Sequence, residues 1–210
     1  MGLARLIPVL AAALMFGLGT ALAAAQAVGP VTPADMALGN PQAKVTVIEY
    51  ASASCPHCAR FNNEVFPAFK RKYVDTGKVR YVYREFLTEP APVAAAGALL
   101  ARCAGKDKYF QVTDAVYHAQ DEIYEPGTET IRAGAGRDVL RRIAQSAGLS
   151  EDQFNKCISD EAALKAFATR TETSAEKDHI EGTPTFIVNG KKVDVGSLPD
   201  LDAAIQPLLK

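Results

Sequence analysis

The chain has 210 residues, a hydrophobic content of 48% and a formal net charge of −1. A chain of this length and composition can bury one hydrophobic core, either as a single domain or as a core domain with an insertion. The balanced charge argues against a dedicated nucleic-acid-binding protein, and we expect no nucleic-acid partner.

The amino-terminal segment has the pattern of an export signal. Arg5 gives it a short positive start, residues 6–22 are almost continuously apolar, and small residues typical of a cleavage site follow at 23–27. The apolar run is short for a stable membrane anchor, which is the alternative interpretation. We therefore expect residues 1–27 to be a cleaved signal peptide and residues 28–210 to be the mature chain, exported to a bacterial periplasm.

The first part of the mature chain predicts a strand, a helix and a second strand. Residues 45–51 (VTVIEYA) form a β-branched, apolar run of strand length. Helical spacing of apolar residues begins near Pro56, whose fixed φ and missing N–H suit the first position of a helix. Ser54 or Cys55 would then be the N-cap. The second strand is predicted at 76–86 (TGKVRYVYREF).

A long helical region separates these elements from a second group of strands. Helical periodicity predicts five segments, at residues 91–104, 107–120, 137–147, 151–158 and 161–177. After them we predict a strand at 183–188, a hairpin turn with positive φ at Asn189-Gly190 and a returning strand at 191–195. A final helix is predicted near Ser197. This order predicts an α/β sandwich whose two halves are separated by an all-helical insertion.

Two of the four cysteines, Cys55 and Cys58, form a Cys-Pro-His-Cys motif where the first strand meets the first helix. Disulfide exchange requires a thiolate, and the unpaired N–H groups of a helix N-terminus lower the pKa of a cysteine placed there. A protonated His57 would add positive charge, and the short spacing closes a ring that is reduced more easily than a structural disulfide. We predict that Cys55 is the exposed, attacked sulfur and that Cys58, one turn deeper, resolves the mixed disulfide.

Two other uses of a paired cysteine motif fit the sequence poorly. Haem attachment requires a histidine directly after the second cysteine, where this chain has Ala59. A zinc site needs a second ligand pair, but Cys103 and Cys157 lie 54 residues apart on separate predicted helices. We therefore predict a redox pair and no metal site.

Two stretches of the sequence, MALGNPQAKVTVIEYASASCPHCARF and GTPTFIVNGKKVDVG, resemble the signatures of a known family. That family is the DsbA-like branch of the thioredoxin-fold thiol:disulfide oxidoreductases, and the similarity extends over about residues 36–210. It implies a thioredoxin fold with an all-helical insertion between the two halves of the core. The core would lie at about 40–88 and 178–210, and the insertion at about 89–177.

The resemblance also implies roles for three residues outside the motif. Pro184 matches the family's cis-proline, which lies against the cysteine pair and faces substrate, and Thr183 matches the preceding residue, which touches the sulfurs and tunes the potential. Threonine here differs from the valine of the best-known oxidase and occurs in some isomerase-type relatives. Glu49, six residues before Cys55, matches a buried acid under the pair that would accept a proton from Cys58.

The other two cysteines, Cys103 and Cys157, each end a predicted helix of the insertion. A disulfide between them would close a loop of about 55 residues and stabilise the fold by roughly 4 kcal/mol through chain entropy. The alternative is a second redox pair that relays electrons. Neither position has an activating environment, and the resemblance implies an extra disulfide of the kind found in some alphaproteobacterial members, so we expect a structural or tuning bond.

Together these features predict an exported thiol:disulfide oxidoreductase that donates a disulfide to reduced or unfolded exported proteins through Cys55 and Cys58. Pro56 and His57 would set the potential of the pair. We expect a monomer with no bound cofactor, and the family implies a quinone-linked membrane oxidase as the partner that reoxidises the pair. Two alternatives stay open. One is a disulfide reductase or isomerase of the same fold, favoured by Thr183, and the other, less favoured, is a periplasmic metal-binding chaperone that holds a soft metal at the pair.

Overall fold

The computed structural model describes residues 30–128 and 130–210, and the predicted signal peptide at 1–27 lies outside them. Its strands are β1 (Met36–Leu38), β2 (Val45–Ala51), β3 (Val79–Glu85), β4 (Thr185–Val188) and β5 (Lys191–Val193). They form one mixed sheet in the spatial order β1-β3-β2-β4-β5. β2 runs parallel to β3, and the other neighbouring strands are antiparallel. The pairing of β2 with β4 joins the two halves of the predicted core.

The central strands are buried along nearly their whole length. β2 and β3 are apolar at most positions, as expected for strands that are covered on both faces of the sheet. In the register of the sheet, Glu49 of β2 lies between Tyr83 of β3 and Phe186 of β4. The carboxylate of β2 is therefore placed in the middle of the sheet, just before the turn that carries the cysteine motif.

Helices form most of the remaining structure. They are α1 (Pro56–Arg60), α2 (Phe66–Phe69), α3 (Ala91–Cys103), α4 (Tyr109–His118), α5 (Gln120–Ile123), α6 (Ala135–Ser146), α7 (Glu151–Ile158), α8 (Glu161–Lys177) and α9 (Leu198–Ile205). α3 is the centre of the insertion, since α4, α6, α7 and α8 all contact it, and α1 contacts α4. The insertion therefore meets the helix that carries the cysteines. Among the described helices, none is both long and apolar enough to cross a bilayer.

The helical stretch that begins with α1 continues into α2 through a widened, π-helical turn at Phe61–Val65. Pro67 accounts for this turn. It has no N–H to donate to the carbonyl four residues earlier, and its ring would clash with that carbonyl in a regular α-helix. The wider turn removes the clash, and the N–H of Phe66 bonds to the carbonyl of Phe61.

The predicted fold class, a thioredoxin fold with an all-helical insertion, is confirmed. Asn189 and Gly190 have φ values of 45° and 84°, which confirms the predicted hairpin turn. β3 begins at Val79 rather than at 76, and the helix predicted at 107–120 is divided at Ala119 into α4 and α5; the other predicted ends differ by at most two residues. The sequence does not predict β1, because three residues are too few to show an alternating pattern.

A buried cluster of charges ties the amino-terminal segment and the end of the insertion to the sheet. The guanidinium of Arg84, in β3, donates to both carboxylate oxygens of Asp35, at 2.8 and 2.7 Å, and to Asp178 at 2.8 Å. The hydroxyl of Tyr50 also donates to Asp178. All four side chains are largely or completely buried. One arginine therefore neutralises two carboxylates, one from the segment before β1 and one from the end of the insertion.

Replacing Arg84 with methionine keeps most of the side-chain volume but removes the cation from two buried carboxylates. We expect Arg84→Met to lower the free energy of unfolding by about 3–5 kcal/mol, measured by urea denaturation of the mature chain. Lys70→Met is the control, because it removes an exposed ion pair with Asp75 (side chains 40% and 45% exposed) and should cost only about 0–1 kcal/mol. Equal losses in the two variants would show that the buried cluster has no special role.

Candidate active site

The cysteine motif lies at the carboxyl end of β2, where the chain turns into α1. Cys55 is the N-cap of α1, with an extended backbone (φ −79°, ψ 117°) and a sulfur that accepts the backbone N–H of Cys58 at 3.2 Å. Pro56 lies in the first turn of the helix, where its missing N–H leaves no bond unmade. Of the two candidate caps, the structure selects Cys55 over Ser54. A sulfur atom therefore faces the unpaired N–H groups of the helix N-terminus.

Both cysteines of the motif are buried, as predicted for Cys58 but not for Cys55. Cys58 is completely buried, and only 6% of Cys55 is exposed. The prediction that Cys55 is the exposed member therefore holds only relative to Cys58. The cover comes from the loop before β4, where the backbone carbonyl of Thr183 lies 3.4 Å from the Cys55 sulfur and accepts its hydrogen when the thiol is protonated.

The two thiols have opposite electrostatic environments. A hydrogen bond from the Cys58 thiol is the main cause that lowers the pKa of Cys55 from 9.0 to about 6, and the backbone N–H groups of Cys58 and His57 lower it further, against the opposing effect of burial. Burial raises the pKa of Cys58 well above its ordinary value, and the charges of Cys55 and Glu49 add to that rise. At neutral pH the Cys55 sulfur is therefore mostly ionised, while Cys58 keeps its proton.

The loop that covers Cys55 contains a cis peptide bond between Thr183 and Pro184. The hydroxyl of Thr183 is buried and, among the described residues of this dithiol form, has no hydrogen-bond partner. The Thr183 side chain also lowers the pKa of Cys55, so this hydroxyl is a donor available to the thiolate. Unlike the Thr183 hydroxyl, the imidazole of His57 is exposed, and its Nδ1 lies 3.3 Å from Arg60 Nη2.

Glu49 lies in the core, 2% exposed, near enough for its charge to interact with those of both cysteines. Burial raises the pKa of Glu49 from 4.5 to about 8, which keeps the carboxyl group largely protonated at neutral pH. The hydroxyl of Tyr81 donates to Glu49 Oε2 and acts in the opposite direction, because it stabilises the carboxylate. Nothing in the sequence pattern identifies Tyr81 as part of the site.

Sequence reasoning also misses the residues that hold the turn before the helix. Gln120 is buried, and its side-chain amide donates to the carbonyls of Ala53 at 2.9 Å and Cys55 at 3.3 Å. The hydroxyl of Tyr124 donates to the carbonyl of Ser54 at 3.4 Å. These donors belong to the insertion and lie 65 to 70 residues along the chain from their acceptors. Local periodicity carries no signal for contacts of that kind.

The other two cysteines, Cys103 and Cys157, form a disulfide that links the ends of α3 and α7. Of the three possible pairings of four cysteines, this one leaves Cys55 and Cys58 as a unit, and both are free thiols. In the part of the chain that the structure describes, no group of three or more His, Cys, Asp or Glu side chains is arranged to hold a metal ion.

A cleft of about 590 Å³ opens beside the motif, between α1 and the loop before β4. Its walls combine apolar side chains with charges of both signs, including His57, Arg60, Phe61, Glu181, Pro184 and Lys192. A mixed lining of this kind suits an extended polypeptide better than a small molecule of one fixed chemistry. The cleft and the sulfur of Cys55 share the Thr183–Pro184 loop as a border.

Fold and geometry define a class of protein. A thioredoxin fold with a Cys-x-x-Cys dithiol at a helix N-terminus, covered by a cis-proline loop, is the arrangement of the thioredoxin-like proteins. In agreement, a family model described as Thioredoxin matches residues 31–207.

Relatives and solved structures define the branch. α-DsbA1 of Wolbachia pipientis superposes with a TM-score of 0.74 and 30% identity, over 85% of this chain and 92% of that one. A Rickettsia bellii protein with the provisional name of protein-disulfide oxidoreductase is 32% identical over 84% of this chain, which spans 65% of that protein's length. BdbD of Bacillus subtilis, at 22% identity and a TM-score of 0.69, shares the fold over 87% of this chain and 97% of its own. The chain belongs to the DsbA-like family of thioredoxin-fold oxidoreductases.

Replacing Cys58 tests the source of the low Cys55 pKa. In Cys58→Ala the side-chain donor is lost, so we expect the pKa of Cys55 to rise by about one unit or more from its value of about 6. Cys58→Ser keeps a hydroxyl donor and should produce a smaller rise. The ultraviolet absorbance of the thiolate, followed against pH, gives all three values. A Cys55 pKa in the alanine variant that equals the wild-type value would show that the Cys58 side chain is not the source.

Proposed function

We propose that this protein is an exported thiol:disulfide oxidoreductase that donates a disulfide to reduced or unfolded proteins through Cys55 and Cys58. The observation that carries the proposal is the contrast between the two thiols, one with a pKa of about 6 and the other with a strongly raised pKa. The names of its relatives, which include a protein-disulfide oxidoreductase, support the same chemistry.

The first step is the attack of a client thiolate on the Cys55 sulfur of the oxidised pair. A bond forms between the client sulfur and Cys55, the Cys55–Cys58 bond breaks, and its electron pair moves to the Cys58 sulfur. A buried thiolate at Cys58 is unfavourable, so this sulfur takes up a proton as it leaves. Glu49, largely protonated at neutral pH, is the acid that supplies the proton.

The second step releases the client with its new bond. Another client thiolate attacks the client sulfur of the mixed disulfide, and the Cys55 sulfur leaves with the bonding electron pair. A thiol of low pKa is a good leaving group, and the hydrogen bonds to Cys55 stabilise the departing thiolate. The client has then given up two electrons, which the cysteine pair now holds.

The direction of net transfer follows from the stability of the reduced state. Interactions that stabilise the Cys55 thiolate exist only when the disulfide is broken, so they favour the reduced protein over the oxidised one. A pair whose reduced form is favoured is a strong oxidant of other thiols. Donation of a disulfide is therefore the favoured direction for this pair.

The donor has to be reoxidised after each cycle. Because the two electrons stay on sulfur, the exchange itself calls for no bound cofactor. We propose that the protein acts in the periplasm, delivered there by the signal peptide at 1–27, and that a quinone-linked membrane oxidase removes the electrons. This partner and location come from the family resemblance together with the export pattern of the amino terminus.

A disulfide reductase or isomerase of the same fold is the second candidate. The residue that favours it is Thr183, since the family resemblance associates a threonine before the cis-proline with isomerase-type relatives. Such an enzyme would act in its reduced state, and the Cys55 thiolate would attack disulfides already present in the client. The two candidates therefore differ in the redox state that is active.

Transfer of the disulfide can be measured directly. The oxidised mature protein is mixed with a reduced peptide that carries two cysteines, and the loss of peptide thiols is followed by mass spectrometry after acid quenching. We expect one peptide disulfide for each enzyme disulfide consumed. Cys55→Ser and Cys58→Ser should transfer nothing, because neither can form the internal bond. The double variant Cys103→Ser/Cys157→Ser, which removes the other disulfide, should still transfer.

Two results would speak against donation. Transfer that depends on Cys103 and Cys157 instead of the motif would show that Cys103–Cys157, and not Cys55–Cys58, is the disulfide that is donated. The second result is an oxidised protein that leaves the peptide reduced, together with a reduced protein that rearranges the mismatched disulfides of a misfolded client. That result would assign the isomerase activity.

A further inference from the structure

Tyr81 is the residue that donates a hydrogen bond to the buried acid of the site, Glu49. Its hydroxyl donates to Glu49 Oε2, and among residues 30–128 and 130–210 it is the one hydrogen-bond partner of that carboxyl group. The two side chains come from adjacent parallel strands, where Tyr81 pairs with Val47 and Glu49 pairs with Tyr83. Tyr81 therefore reaches along its strand to the acid that lies two residues closer to the cysteines.

The ring of Tyr81 has little freedom to move away from this bond. It is 3% exposed, and its centroid lies 4.8 Å from that of Phe66, 6.0 Å from Phe69 and 6.1 Å from Phe110. Aromatic contacts at these distances contribute to stability beyond the burial of area alone. Three rings from two helices, α2 and α4, therefore fix the direction of one hydroxyl.

The surroundings of Glu49 make this single donor important. No described lysine, arginine or histidine bonds to its carboxyl group. From β4 its neighbour is the apolar Phe186. The titratable groups whose charges interact with it come from α1, β3 and α4, and they are Cys55, Cys58, Tyr81, Tyr83 and Tyr117. The negative charge of an ionised Glu49 is therefore stabilised by the Tyr81 hydroxyl and opposed by the thiolate of Cys55.

We propose that Tyr81 is a positioning residue for the exchange of a proton between Glu49 and Cys58. With Oε2 held by Tyr81, the proton is carried by the other carboxylate oxygen. When the Cys55–Cys58 bond breaks, Cys58 receives the electron pair and the Glu49 proton, and Tyr81 stabilises the carboxylate that is left. In the reverse step Cys58 returns the proton to Glu49 as its sulfur attacks the mixed disulfide at Cys55. This inference rests on the proposed function, because it assigns a role within that exchange.

The reverse step provides the test, since it requires an ionised Glu49. The reduced mature protein is mixed in a stopped-flow instrument with a peptide disulfide that carries a fluorophore and a quencher. The second kinetic phase, which Cys58→Ser lacks, is release by Cys58, and its rate is recorded against pH. In Tyr81→Phe we expect the midpoint of this profile to move up by about one pH unit, with release about tenfold slower at neutral pH.

Matched variants separate this role from general damage to the core. Tyr109→Phe is the control, because it removes another buried tyrosine–glutamate bond, from Tyr109 to Glu85 at 3.0 Å, and it should leave the midpoint unchanged. In Glu49→Gln the release rate should lose this dependence on pH. The double variant Tyr81→Phe/Glu49→Gln should then behave like Glu49→Gln alone, since Tyr81 acts only through the acid.

A second probe keeps the ring in place if the phenylalanine variant is unstable. Replacement of Tyr81 by 3-fluorotyrosine makes the hydroxyl a stronger donor with little change in volume, so the midpoint should move down instead of up. The opposite signs of the two shifts are expected only from a donor to an ionising group.

Three results would overturn the inference. One is a Tyr81→Phe profile that superimposes on the wild-type profile in a folded protein, and another is a 3-fluorotyrosine shift of the same sign as the phenylalanine shift. The third is a shift caused by Tyr81→Phe that persists in the Glu49→Gln background. A wild-type protein that shows no release phase and also leaves a reduced two-cysteine peptide unoxidised would instead contradict the proposed function, and the inference about Tyr81 would fall with it.

Discussion

The hydrogen bonds between Cys58 and the sulfur of Cys55 are the interaction on which the chemistry of this protein depends. The backbone N–H of Cys58 and its thiol both act on the same acceptor. They lower the pKa of one cysteine and, together with burial, raise that of the other. These bonds therefore separate a sulfur that leaves easily as a thiolate from one that must be protonated, and the direction of exchange that we propose rests on this difference.

The rest of the fold serves to hold that contact in place. β2 delivers the turn, α1 supplies the N–H groups, and the loop before β4 covers the sulfur through the Thr183 carbonyl. The insertion contributes from the other side, where Gln120 and Tyr124 satisfy three consecutive carbonyls of residues 53–55. The helical insertion is thus a structural part of the site as well as an addition to the sheet. Below the turn, the Tyr81 hydroxyl donates to Glu49, whose charge interacts with that of the buried Cys58 sulfur.

The local parts of this arrangement can be predicted from the sequence. The β-branched run before the motif, Pro56 in the first turn and the Asn189-Gly190 turn each depend on a few neighbouring residues, and the structure has them where they are expected. The family resemblance adds what no local pattern contains, such as the cis bond before Pro184. The contacts that the sequence does not predict have one cause. The cover over Cys55, the donors Gln120 and Tyr124 and the Arg84 cluster all join residues more than 30 positions apart, and such pairs depend on how the elements pack.

If stabilisation of the Cys55 thiolate makes this pair a donor of disulfides, as we propose, the reduction potential of the pair must be high. The mature protein is equilibrated with glutathione buffers of defined ratio, and the reduced fraction is measured after rapid alkylation. We predict a potential well above the value of about −270 mV that characterises thioredoxin, with the reduced protein more stable than the oxidised one. A potential near that of thioredoxin would rule out donation and would assign the pair to reduction or isomerisation.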